Sequence, residues 1–108
     1  MNRLNPLQIR MDIMKYLYRL SGQTAGKEFT IYSGQIEGYY YTEIKDELKI
    51  LSEKGLLRFS GNFISRKLKI SLTQTGLAFM EEAYQAVKRN DPAEKELALQ
   101  KIFEYLRV

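Results

Sequence analysis

The chain predicts a mainly α-helical fold carrying a small antiparallel β-ribbon, and three observations support that expectation. Apolar residues recur at helical spacing in four stretches. Between residues 57 and 72 the period shortens to two, as a half-buried pair of strands requires. Gly, Pro and Asn punctuate the joins, with no linker long enough to divide the 108 residues into two domains.

Asn5-Pro6 reads as an N-cap followed by Pro at the first helical position, where its missing N–H costs nothing. Ile9, Ile13, Tyr16, Leu17 and Leu20 then form the stripe of an amphipathic helix, which Ser21-Gly22 stops. Phe29-Thr30-Ile31-Tyr32 is β-prone and suits a short strand. Residues 33–37 have room for one or two helical turns closed by Gly38. The nearby Gly26-Lys27 pair is a turn: its spacing is short of a phosphate loop, and Glu28 stands where Ser or Thr is needed.

Thr42 reads as the cap of the next helix, with Ile44, Leu48 and Leu51 on its buried side and Gly55 at its end. In the ribbon, Leu57 and Phe59 alternate with Arg58 and Ser60. Opposite them Leu68, Ile70 and Leu72 alternate with Lys67, Lys69 and Ser71, and Ser60-Gly61-Asn62 supplies turn chemistry. Thr73 caps a helix whose Leu77, Met80, Tyr84 and Val87 share a face. Asn90-Asp91-Pro92 breaks it, and Asp91, Pro92 and Glu94 start a last helix to about Arg107.

Composition narrows the function. With 44% hydrophobic and 28% charged residues the chain lies in the globular range. No apolar run approaches the roughly 18 residues of a membrane span, and the N-terminus lacks the apolar core of a signal peptide. Zero Cys excludes disulfides and thiolate metal sites and suits the cytoplasm. Zero His removes the usual general base, the Ser-His-Asp triad and most zinc sites. No paired-carboxylate, metal or nucleophile constellation is visible, so the expectation is a non-enzyme that needs no cofactor.

The net charge of +4 is unevenly spread. Residues 54–80 hold five cations (Lys54, Arg58, Arg66, Lys67 and Lys69) and no anion, whereas 39–53 hold two cations and four anions. A local positive patch is what needs a partner.

The order of elements, the run L-x-x-L-S-E-K-G-L-L from Leu48 to Leu57, the basic ribbon, and L-T-x-T-G-x-x-F-M from Leu72 to Met80 resemble the winged helix-turn-helix family of transcription regulators. Small dimeric regulators of the MarR and PadR type are the most similar subgroups. The resemblance implies one winged-helix domain over 1–108, with a core at 5–90 and an extra C-terminal helix at 91–108. It implies a recognition helix at about 42–54, entering the major groove by its N-terminal end, and a wing at about 58–69 on the backbone or minor groove. By position, Tyr40, Tyr41, Thr42, Lys45 and Lys49 would face double-stranded DNA from the helix. Arg58, Arg66, Lys67 and Lys69 would do so from the wing. The stripe of Leu99, Ile102, Phe103 and Leu106 would pair across a two-fold axis in a homodimer, or else fold back on the first helix.

Each feature has a plainer reading beside it. The wing cations have a plainer role in guarding a sheet edge, which accounts for one or two of them. Of Tyr39-Tyr40-Tyr41, two rings would cover the loop beneath while at least one hydroxyl reaches solvent. Glu43, Asp46 and Glu47 repel phosphate unless they point away or read cytosine N4. If they stay exposed, the alternative is a winged-helix module that grips another protein without DNA.

Overall fold

The computed structural model describes residues 5–61 and 67–107. Helix α1 spans Pro6–Ser21, and the Asn5 side chain accepts the N–H groups of Leu7 and Gln8 at 3.0 and 3.4 Å. It stops at Gly22, whose φ of 61° lets its N–H turn back to the Arg19 carbonyl. Ile9, Ile13 and Leu17 are buried as the stripe predicts, but Leu20 is not. The inward face is rotated toward Arg10, Met14 and Ser21, because α1 must touch helices and sheet together.

Strand β1 (Glu28–Tyr32) forms where the β-prone run predicts it. The helical turns expected at 33–37 do not: residues 33–38 make a chain of turns. Gly34, Glu37 and Gly38 all have positive φ (90°, 48° and 76°), which no right-handed helix accommodates. Ile36 is buried at the centre of these turns, while Gln35 bonds Tyr16 and Glu37 approaches Arg19. The segment that would be a helix is thus a clamp on α1.

Helix α2 (Tyr41–Glu53) begins earlier than expected, with Tyr40 and not Thr42 at the N-cap. Glu43 accepts the Tyr40 N–H at 2.9 Å and Ser33 Oγ accepts the Tyr41 N–H at 2.9 Å, so the turn supplies part of the cap. At the other end Gly55, at φ 77°, donates to the Ser52 carbonyl and Leu56 to the Leu51 carbonyl. This Schellman arrangement sends buried Leu56 and Leu57 into the core.

The ribbon is part of a larger sheet. Strands β2 (Leu57–Gly61) and β3 (Lys67–Leu72) pair antiparallel, and β1 pairs antiparallel with the other side of β3, giving the order β1-β3-β2. Ser60 and Gly61, read as turn residues, belong to β2, and Asn62 lies outside the described residues. Helix α3 (Gln74–Val87) is capped by Thr73, whose Oγ1 accepts the Gly76 N–H at 2.9 Å. Val87 is half exposed, because the last turn of α3 directs Ala83 and Ala86 inward in its place. Helix α4 (Pro92–Leu106) starts on the Asp91 carboxylate, which accepts the Ala93 N–H at 3.0 Å.

Apolar residues of every element join one buried cluster under the sheet. Four helices with a three-stranded antiparallel sheet, in a helix-turn-helix-like arrangement, give the general layout of a winged-helix fold. No described helix is long and apolar enough to cross a membrane.

Candidate nucleic-acid interface

The exposed side of α2 carries Thr42, Lys45, Asp46 and Lys49, at the helical spacing opposite buried Ile44, Leu48 and Leu51. Its three N-terminal acids are treated differently. Glu43 is occupied by the Tyr40 N–H. Glu47 turns toward α1, where its Oε1 lies 3.5 Å from Arg10 Nη2, with the two side chains only 13% and 7% exposed. Asp46 alone of the three stays on the outer side. Of the three, Glu47 is the one turned inward and paired with a cation, while Glu43 keeps its charge at the helix start.

Arg10 is the residue that sequence reasoning missed. It sits three residues before Ile13 and seven before Leu17, so a helix places it within the buried side. A cation at such a position requires a partner, and that was the available signal. Its Nη1 donates to the Leu106 carbonyl at 2.6 Å, while its Nε is buried with no hydrogen-bond partner. Such an unsatisfied donor costs on the order of 1–3 kcal/mol.

The three consecutive tyrosines diverge. Tyr39 is half-buried and its hydroxyl donates to Asp12 Oδ2 at 2.9 Å; burial first, and that carboxylate second, raise its phenol above the ordinary value. Tyr41 packs against the core, and Tyr40 is 64% exposed. Of the three, Tyr40 is the one whose ring lies largely in solvent.

On the sheet, Arg58, Lys67 and Lys69 all occupy the solvent face, alternating with buried Leu57, Leu68, Ile70 and Leu72. Register sorts them along its length. Lys67 lies opposite Tyr32, a half-exposed residue that sequence reasoning had not singled out. Lys69 lies between Thr30 and Ser60, and Arg58 lies opposite Ser71. From Lys67 to Ser71 is four residues, or about 13 Å of strand. Because Ser33, next to Tyr32, binds the first turn of α2, that end of the sheet adjoins Tyr40 and Thr42. Lys67 is thus near the helix start, and Arg58 is at the far end. Edge protection does not explain Lys67 and Lys69, because β3 is the central strand. Arg66 lies outside the described residues.

Of the residues expected at a two-fold axis, Ile102 and Leu106 are buried in the chain's own core. Leu99 and Phe103 are half-buried and line an open groove of about 660 Å³ between Leu7 of α1 and the outer side of α4. The fold-back of the last helix is the arrangement within this chain.

No family model, curated protein or solved structure matches the chain.

Proposed function

We propose that the protein is a sequence-specific, double-stranded-DNA-binding regulator acting as a homodimer, with the start of α2 in the major groove and the basic sheet end on the backbone. The observation that carries this reading is the disposal of acids on α2. Glu43 is used in capping and Glu47 in the pair with Arg10, while Thr42, Lys45 and Lys49 stay on the outer side. A helix so arranged presents cations and a hydroxyl to phosphate and base edges. Tyr40 and Lys67, at the same end, add a phenol and a cation beside it. The outer half of the α4 stripe, Leu99 and Phe103, is what a second copy would cover.

The test is titration of labelled genomic duplex fragments at several salt concentrations, followed by selection from a random duplex pool. A regulator of this kind gives affinity that falls with salt and a recovered consensus. Affinity indifferent to salt would overturn the reading. The exposed Tyr40 and Asp46 favour a second reading, a module that grips another protein. A stoichiometric protein partner retained after nuclease treatment, with no duplex bound, would select it.

A further inference from the structure

Arg10 stands where three helices meet. It belongs to α1, its Nη2 lies 3.5 Å from Glu47 of α2, and its Nη1 donates to the carbonyl of Leu106, the last residue of α4. Helix α4 has no basic residue in its own last turn, and beside Arg107 at its C-cap α1 brings a buried cation to its terminal carbonyl. Nε is buried without a partner, leaving the guanidinium held by the other two contacts. An apolar side chain of similar volume would fill this place without that unsatisfied donor. The arrangement therefore links helices more than it serves packing.

We propose that Arg10 is a positioning residue that couples the docking of the α4 end to the setting of α2. If α2 shifts and withdraws Glu47, the buried guanidinium keeps only the Leu106 carbonyl. If the last turn of α4 lifts, Glu47 balances the cation alone, in a site where other partners for Nε are missing. Each contact holds the guanidinium where the other needs it, and such coupling is reciprocal. Occupancy of α2 tightens the end of α4, and a partner seated beside Leu99 and Phe103 biases α2. The identification of that α2 ligand as duplex DNA rests on the functional reading above; the coupling within the free chain does not.

Amide hydrogen exchange tests it in two arms, using Glu47→Gln, with exposed Asp46→Asn as control on the same helix. In the free protein, Glu47→Gln speeds exchange at residues 103–106 by about fivefold or more relative to α3 and β3. Asp46→Asn leaves that ratio unchanged. A uniform rise at all amides, or no rise at the α4 end, overturns the coupling. In the second arm, saturation with a binding duplex slows exchange at 103–106 in the native chain and not in Glu47→Gln. Slowing confined to α2 and the sheet also overturns it. Should no duplex bind, the functional reading fails and the first arm decides the coupling by itself.

Discussion

A Cβ atom on Gly76 would lie 1.9 Å from the carbonyl oxygen of Leu56. The same oxygen accepts the Thr73 N–H at 3.2 Å, and the Thr73 hydroxyl donates to the neighbouring carbonyl of Gly55. The end of α2 and the start of α3 are therefore clasped, backbone to backbone, across the root of the sheet. Gly76→Ala must push two main-chain segments apart, and we expect a loss of about 3 kcal/mol or more, the upper part of the overpacking range. In thermal unfolding that corresponds to a fall of about 12 °C or more. Gly55→Ala makes a useful contrast: its Cβ meets open space and only the φ of 77° is strained. It should cost about 1–2 kcal/mol. Equal losses at the two positions would contradict the clasp.

That clasp also shows which parts of the fold were legible in the sequence. Asn5, Thr73 and Asp91 bond donors two or three residues away, so their caps can be read locally. The period-two run around Leu68 and Ile70 likewise declares its own face. The turns at 33–38 could not be read in this way. Gly34 and Gly38 resemble helix punctuation, whereas burial of Ile36 and contacts with distant Tyr16 and Arg19 help hold that segment as a clamp. The pairing of β1 with β3 and the meeting of Arg10, Glu47 and Leu106 are equally nonlocal. Hence the charges of the candidate site were visible, but not which acids are consumed inside the molecule.

Replacing both central-strand lysines, Lys67→Ala/Lys69→Ala, should flatten the dependence of duplex affinity on salt. Each phosphate contact contributes about 0.9 to the log–log slope, so the pair should remove about 1.8. Preference among duplex sequences should be little changed, because backbone contacts carry no base information. Arg58→Ala, about 13 Å along the sheet from Lys67, should change the slope less than either lysine does. Anisotropy titrations between low and moderate salt supply the slopes. An unchanged slope in the double variant would remove the sheet from the interface.

Arg10→Met leaves the largely enclosed Glu47 without its cation and Leu106 without its donor. Because Glu47 keeps some exposure, the loss should sit at the low end of the range for a broken buried pair, about 3 kcal/mol. Adding Glu47→Leu removes the stranded carboxylate and should restore most of that loss. Urea denaturation of the two single variants and the double variant closes the cycle. Additive losses would mean that the 3.5 Å approach carries no interaction.

The Tyr39–Asp12 hydrogen bond gives stability a dependence on alkaline pH whose sign can be worked out. Burial and the adjacent carboxylate raise the phenol of Tyr39 above its ordinary 10.0, so the folded chain holds this proton more tightly than the unfolded chain. The contribution is therefore complete below the unfolded value and is lost as pH rises through the folded one. Tyr39→Phe forfeits the bond to Asp12 at 2.9 Å and should be less stable near neutrality. It should then lose less than the native chain on going from about pH 9 to pH 11.5. The two stability curves must converge as pH rises. Chemical denaturation midpoints across that interval provide the check, and parallel curves would show that the Tyr39 hydroxyl does not couple the turn to α1.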